Sequence, residues 1–233
     1  MSFRGTGIQP VLVAGSQRTF SAPSFSLCIQ ESGNILRSAG TLPLGMYRRN
    51  LPHWYPYDAA VFVTWRLFGT LPRRPRAPRR EVVDGNAFRE VDRQLDLAAF
   101  GPIWLREPSV AEGVAGTVEA AEGERGLCAL HAYVVMPNHV HLLLSPNRPL
   151  CEVTKWIKGA SARRANLLLG RTGRPFWQDE SFDHWARNRA EFEKIRCYIE
   201  HNPVSAGLVE EPVQWPYSSA RRRAQAERLC HGF

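Results

Sequence analysis

The clearest pattern of apolar and polar positions lies in residues 128–145, where two apolar runs are separated by Pro137 and Asn138. Successive side chains of a strand point to opposite faces, and a Pro-Asn pair favours a turn. The pattern therefore predicts a β-hairpin with strands at about 128–136 and 139–145. It places His139 and His141 at the start of the second strand, on one face and about 7 Å apart along the chain.

Other stretches predict the rest of the fold. Residues 59–68 are rich in β-branched and aromatic side chains and indicate a strand, and a second, short strand is expected within residues 176–187. Asn188 and Glu191 have the spacing of a capping box, which begins a helix that we expect Pro203 to end. Apolar residues recur at helical spacing in three further predicted helices: residues 86–100, the stretch from Pro108 onward, and residues 150–169. Without a regular strand–helix alternation, the pattern favours an α+β fold with an antiparallel sheet.

Composition indicates a globular protein of a reducing compartment. Hydrophobic residues make up 44% of the 233 positions and charged residues 22%. The five cysteines are scattered singly, which argues against a disulfide framework and against structural zinc. No apolar run approaches the length of a membrane span, and the N-terminus lacks the compact apolar core of a secretory signal. We therefore expect a cytoplasmic protein with no membrane partner.

The charge balance points to a phosphate-bearing partner. Lys and Arg together number 30 against 22 Asp and Glu, so the formal net charge is +8. Guanidinium groups bind phosphates and stack on bases, and seven tryptophans suit the same partner. A high-GC genome would explain the preference for Arg over Lys, but it would not explain the net positive charge. The composition favours nucleic acid.

Two basic segments are candidates for contact with DNA. The proline-rich stretch 72–80 is either a solvated linker or a phosphate-binding arm, and its arginines are Arg73, Arg74, Arg76, Arg79 and Arg80. The predicted helix 150–169 is either a solvated face or a DNA-facing helix, and the second is favoured because its charges are nearly all of one sign, with Lys155, Lys158, Arg163 and Arg164. Residues 1–45 lack sustained periodicity and are expected to form a poorly ordered extension.

The histidine pair has two interpretations on its own. Imidazoles on one face of a strand can share a metal ion, but many sheets carry two polar residues on a solvated face. Downstream, Tyr198 and Asn202 are four residues apart on a predicted helix and so share a face. If that face meets the histidines, a phenol and three candidate ligands converge; otherwise Tyr198 is a half-buried aromatic residue at a helix end.

Several motifs in one order carry a resemblance to a known family. They are Met-Pro-Asn-His-Val-His at 136–141, Phe-Trp-Gln-Asp-Glu at 176–180, Phe-Asp-His at 182–184, and Tyr-Ile-Glu-His-Asn-Pro-Val-Ser-Ala-Gly-Leu-Val at 198–209. The segments at 48–54 and 101–105 fit the same pattern. From residue 47 to residue 220 the chain resembles the REP-associated tyrosine transposases, which belong to the single-tyrosine, His-hydrophobic-His class.

The resemblance implies an activity and a site. It implies a ferredoxin/RRM-like antiparallel sheet with packed helices and the His-x-His on a central strand, forming a domain over 46–221 with a tail at 222–233. Such enzymes cleave and rejoin single-stranded DNA beside a hairpin-forming palindrome, as monomers or homodimers. Tyr198 would be the nucleophile that forms a 5′-phosphotyrosine, and His139, His141 and Asn202 would hold Mg²⁺ or Mn²⁺. His184 and Arg187 would either approach the scissile phosphate or have structural roles.

Two other functions were weighed against this one. A domesticated protein could retain the fold and bind hairpin DNA without cleaving it. A histidine-triad nucleotide hydrolase would need a further histidine at position 143, where this chain has Leu143. The enzyme is preferred because the four expected site residues are all present.

Overall fold

The structure is a computed structural model that describes residues 45–48, 52–55, 59–71 and 85–231. Apart from Gly45, the extension predicted over residues 1–45 lies outside the described residues. The basic stretch 72–80 also lies outside them, with the candidate DNA contacts Arg73, Arg74, Arg76, Arg79 and Arg80.

Two sheets and five helices are formed by the described residues. Strands β1 (Gly45–Arg48) and β2 (Pro52–Tyr55) pair with each other. The main sheet contains β3 (Val61–Arg66), β4 (Cys128–Val135), β5 (His139–Pro146) and β6 (Phe182–Trp185). The α-helices are α1 (Gly85–Asp96), α2 (Pro108–Glu122), α3 (Leu150–Leu168), α4 (Arg189–Ser205) and α5 (Ser219–His231), and short 3₁₀ helices lie at Trp104–Arg106 and Pro212–Gln214.

The main sheet has the order β4-β5-β3-β6, and every neighbouring pair is antiparallel. If α1, which lies between β3 and α2, is set aside, then β3, α2, β4, β5, α3 and β6 have the chain order β-α-β-β-α-β of the ferredoxin-like arrangement. The predicted α+β class is confirmed. The His-x-His pair lies on β5, which has a neighbour on each side and is central, as expected.

Two helix ends differ from the predictions. Helix α1 ends at Asp96 rather than near residue 100, because Ala98 adopts a positive φ of 46° and Leu97 turns outward to solvent. Helix α4 continues through Pro203 to Ser205. A proline in a helix removes one backbone hydrogen bond, because it has no N–H. Pro203 is only two residues from the end of α4, so the helix can continue past it to Ser205. The chain then leaves the helix at Gly207, whose φ is +68°.

The two faces of the main sheet are covered by different helices. Val63 and Leu142 belong to a core with α2 and α3, whereas Phe62 and Leu143 pack with residues of α1 and α4. His139 and His141 share the parity of Leu143 along β5 and therefore face α1 and α4. Within the described part of the chain, no helix is long and apolar enough to cross a membrane.

Helix α5 packs back onto the domain. Arg223 pairs with the buried Glu200 of α4, and Arg222 lies 3.8 Å from Glu119 of α2. The boundary predicted between residues 221 and 222 therefore falls inside a helix that contacts two other helices. The division of the chain into domains stays a prediction.

Candidate active site

The two histidines lie at the buried edge between β5 and the helices above it. His139 and His141 are both fully buried, and their Nε2 atoms are 3.0 Å apart. The alternative of two polar residues on a solvated face does not apply. Two imidazole nitrogens that meet in the interior require either a proton or a cation between them, because their lone pairs otherwise repel.

The ring of His139 is oriented by Asn138. The Asn138 amide nitrogen donates to the carbonyl of Leu95 at 2.9 Å, so its oxygen faces His139 Nδ1 at 2.7 Å. An amide oxygen can only accept, so Nδ1 carries the proton and Nε2 carries the lone pair. On the next strand, Thr64 Oγ1 lies 2.7 Å from His141 Nδ1. The rings of His139 and His141 are thus both oriented through Nδ1, and their Nε2 atoms face each other.

Helix α1 adds two carboxyl groups to this point. Asp92 Oδ1 lies 3.3 Å from Nε2 of His141 and 3.8 Å from Nε2 of His139. Asp96, one helical turn further along, places Oδ1 at 3.7 Å from Nε2 of His139. Potential ligand atoms of Asp92 and the two histidines all lie within 4.8 Å of one another.

Helix α4 brings Tyr198 and Asn202 to the same place. The helix begins after Asn188, whose side chain accepts a hydrogen bond from Glu191 N as the predicted cap. The hydroxyl of Tyr198 donates to Asp92 Oδ2, and its ring centroid lies 5.7 Å from that of His141. Asn202 is buried and hydrogen-bonded to Asp92. The face shared by Tyr198 and Asn202 therefore does meet the histidines, within one chain.

Burial dominates the electrostatics of the site. It lowers the pKa of His139 to about 3 and, together with its neighbour His139, holds the pKa of His141 well below the usual value. It raises the pKa of Asp96 to about 7. Burial and then the nearby Asp96 also hold the pKa of Asp92 well above its usual value, against a hydrogen bond from Asn202 that lowers it. Without a cation, this group of side chains is most stable uncharged.

A divalent cation fits the donor set. Three buried oxygens at the site, Asp92 Oδ1, Asp96 Oδ1 and Asn202 Oδ1, have no hydrogen-bond donor among the described residues. Two nitrogens bound to one ion at about 2.1 Å and at right angles are about 3 Å apart, which agrees with the histidine spacing. Imidazole, carboxylate and amide donors together suit Mn²⁺ or Mg²⁺, and an ion would neutralise the buried carboxylates.

The basic residues predicted to contact DNA do not gather at this site. Lys155, Lys158, Arg163 and Arg164 lie on α3, which covers the opposite face of the sheet. Lys158 donates to the carbonyls of Gln178 and Asp179, so it also ties the loop before β6 to α3. Arg187 is exposed and lies two residues before α4. The DNA contacts assigned to these residues stay predictions.

Sequence reasoning missed the residues that complete the site. Asp92 and Asp96 have i, i+4 spacing in a stretch predicted to be helical, and this spacing alone could have marked an acidic face. The sequence predicts Asn138 as a turn residue within the family motif and Thr64 as a residue of a β-branched and aromatic strand, without a role at the site for either. Their contacts with the imidazoles depend on the register of β3 against β5, in which Thr64 lies opposite His141.

The fold and this site together define a class: a ferredoxin-like domain with a His-x-His strand and a tyrosine helix. Residues 111–202 match the family model described as "Transposase IS200 like". The chain is similar to the REP-associated tyrosine transposase of Escherichia coli (strain K12), with 28% identity over 96 residues, and to a putative REP-associated tyrosine transposase of Haemophilus influenzae, with 29% identity over 109 residues. The resemblance predicted from the sequence motifs is confirmed.

The extent of these matches is limited. The matches cover 40% and 41% of this chain, and they span 54% and 61% of the length of the two curated relatives. A solved structure of a REP-associated tyrosine transposase bound to a REP hairpin matches with a TM-score of 0.46 and 20% identity, over 80% of this chain and 86% of that chain. The family match at 111–202 includes His139, His141, Tyr198 and Asn202, whereas Asp92 precedes it.

Proposed function

We propose that the protein binds single-stranded DNA at a short hairpin and cleaves and rejoins it through a covalent bond to Tyr198. One observation carries this proposal: the Tyr198 hydroxyl, two oriented imidazoles and Asp92 meet at a single buried point. The match at 111–202 to a transposase family supports the reaction class. The hairpin is inferred from the relatives, one of which has been solved with a REP hairpin.

The chemistry follows from the side chains. The phenol oxygen of Tyr198 attacks a backbone phosphorus, the bond from phosphorus to the 3′-oxygen breaks, and the 5′ side remains as a phosphotyrosine. The phenol proton leaves to an acceptor, and the departing 3′-oxygen takes up a proton to become a hydroxyl. The reverse attack by a 3′-hydroxyl restores the DNA and frees the tyrosine, so no nucleotide cofactor is needed.

Activation of the phenol is the difficult step, because a tyrosine has a pKa near 10 and is a poor nucleophile while protonated. Asp92 Oδ2 accepts the hydrogen bond from the phenol, so Asp92 holds the nucleophile in place and is the candidate acceptor of its proton. His139, His141 and Asp92 would hold a divalent ion, with Asn202 beside them. Such an ion supplies charge withdrawal from the phosphate oxygens.

The test is an adduct assay. An end-labelled hairpin oligonucleotide with single-stranded flanks is incubated with the protein and Mn²⁺ or Mg²⁺, and adducts are resolved on a denaturing gel. Wild type should form a covalent protein–DNA band, and Tyr198→Phe should not. Tyr217→Phe is the matched control, because that tyrosine packs against the core on the opposite face of the sheet. An adduct from Tyr198→Phe would mean that another residue is the nucleophile.

The same assay separates catalysis from binding alone. A domesticated protein that only recognises hairpins would bind the labelled oligonucleotide in an electrophoretic shift experiment, yet would give no adduct with either metal. The contacts of Tyr198 favour the enzyme, because the carboxyl group that accepts from its hydroxyl also faces the imidazoles of His139 and His141.

A further inference from the structure

Side chains on one face of strand β3 lie next to the histidines of the candidate active site. Trp65 and Leu67 are buried in the core with α2 and α3, so the residues between and beyond them face the other way. On that side, Thr64 contacts His141, and Arg66 lies directly opposite His139. Opposite residues in an antiparallel pair have Cβ atoms about 5 Å apart. Arg66 is thus a half-buried guanidinium next to a proposed metal ligand, and no role has been assigned to it.

Arg66 is directed toward the end of the strand. Its Nη1 donates to Thr70 Oγ1 at 3.2 Å, and the Thr70 hydroxyl in turn donates to the carbonyl of Leu67. Thr70 is uncharged, so its contact with Arg66 does not neutralise the guanidinium. An arginine held in this way keeps N–H donors for a phosphate beside the histidines.

Two aromatic side chains border the same end of the sheet. Phe68 lies in the turn that follows β3 and is 42% exposed, and Phe100 is 61% exposed. Each precedes a glycine with positive φ, and these glycines touch: a Cβ on Gly101 would lie 2.2 Å from the carbonyl oxygen of Gly69. The close approach of the two loops therefore brings the segments that carry Phe68 and Phe100 to the same rim.

The rim is continuous with the metal site. Leu67 N donates to the carbonyl of Asn138, and Asn138 in turn donates to Leu95 near the end of α1. The turn that carries Phe68 is thus tied to the residue that orients His139. Large apolar rings exposed at such a rim are unusual unless something covers them.

We propose that Arg66, Phe68 and Phe100 form a nucleotide subsite for single-stranded DNA beside the scissile phosphate. Arg66 binds a phosphate adjacent to the one that is cleaved, and the two phenylalanines stack on the base of that nucleotide. The proposal rests on the proposed function, because it takes the scissile phosphate to lie beside the histidines. Aromatic stacking together with a guanidinium on the backbone is how single strands are commonly bound.

The phosphate contact is tested with methylphosphonate substitutions, which remove the charge of one phosphate at a time around the cleavage position. A methylphosphonate at the phosphate that Arg66 binds should slow adduct formation by wild type about tenfold or more. The same methylphosphonate should not slow adduct formation by Arg66→Gln any further. Arg66→Lys should recover part of the rate, since it restores the charge without the planar fork. Arg148→Gln, an exposed arginine beyond the opposite end of β5, is the matched control and should keep the full sensitivity.

The base contact is tested with abasic nucleotides at the same positions. An abasic site next to the cleaved phosphate should weaken binding by wild type about 5- to 150-fold, which is the range for loss of one stacked base. The double variant Phe68→Ala, Phe100→Ala should bind intact and abasic DNA equally. Leu167→Ala removes an exposed apolar side chain on the opposite face and should leave the difference unchanged.

Binding is also measured by fluorescence anisotropy with Tyr198→Phe protein and Mn²⁺, so the result does not depend on cleavage. If wild type forms the adduct but the Arg66 and phenylalanine variants keep wild-type sensitivity to both modifications, the subsite is refuted and the proposed function stands. If no adduct forms, yet binding shows the expected loss of sensitivity, the subsite stands and the nicking activity fails. Without either effect, both are wrong.

Discussion

Replacing Asp92 by asparagine tests whether this carboxylate is a metal ligand. The sequence resemblance predicts Asn202 as the ligand beside the histidines, whereas the structure brings a carboxyl group of α1 to 3.3 Å from His141 Nε2. Asparagine has the same shape and keeps an acceptor for the Tyr198 hydroxyl. The metal-free variant should therefore unfold at the same temperature as wild type or higher, because a buried carboxyl group has been removed.

The expected loss appears when metal is added. A ligand present at 100 times its Kd stabilises the folded state by about 2.7 kcal/mol, which for a chain of this size raises Tm by about 5–11 °C. Removal of a charged ligand should weaken binding at least as much as loss of a residue that merely orients one, about 100-fold. The stabilisation at the same Mn²⁺ concentration then falls to about 0.4 kcal/mol, or about 1–2 °C.

The assay is thermal unfolding followed by circular dichroism, with Mn²⁺ titrated against EDTA-treated protein. Asp183→Asn is the matched control, because Asp183 lies on β6 opposite Val63 and so faces the other side of the sheet. It should show the full wild-type shift. The reasoning is refuted if Asp92→Asn keeps the full shift while Asn202→Ala loses it, since Asn202 would then be the ligand and Asp92 only a partner of Tyr198.

Three further outcomes are expected. Asn138→Ala should weaken Mn²⁺ binding about 10- to 100-fold in an electron paramagnetic resonance titration, because His139 loses the acceptor that orients it; unchanged affinity would contradict this role. Arg223→Gln should lower the free energy of urea unfolding by about 1.5 kcal/mol through its contact with Glu200, and the Mn²⁺ shift should stay at the wild-type value. The folded metal-free chain holds a proton on Asp96 up to a pKa of about 7 that the unfolded chain releases near pH 4, so this group makes stability fall as pH rises through that window. The urea midpoint of unfolding is therefore measured for wild type and for Asp96→Asn at several pH values. The wild-type midpoint should fall relative to that of the variant between pH 5 and pH 8, and a constant difference would contradict the raised pKa.

The fold was predictable because its signals are local. The hairpin that carries His139 and His141 follows from alternation and one turn pair, and the cap at Asn188 follows from three-residue spacing. Periodicity failed only where a single backbone angle decided the outcome. Leu97 fits the apolar periodicity of the predicted helix, but α1 ends at Asp96 because Ala98 has a positive φ.

Half of the candidate site was predictable, for the same reason. Tyr198 and Asn202 could be paired because four residues on a helix define a face. Asp92 could not be joined to them, since 47 residues and three elements separate it from His139, and only tertiary packing brings α1 over β5. The burial of His139 and His141 could not be predicted either, because a His-x-His pair has the same spacing on a solvent-exposed and on a buried face of a sheet.

Asp92 links the two halves of the site through its two oxygens. Oδ1 faces the imidazole Nε2 atoms, and Oδ2 accepts the hydroxyl of Tyr198. A single carboxyl group therefore lies between the Tyr198 hydroxyl and the candidate metal position. If α4 moved away from the sheet, the phenol would lose its acceptor and Asn202 its contact with Asp92 in the same motion. In the proposed function, placement of Tyr198 and completion of the candidate metal site would therefore both depend on how α4 packs on the sheet.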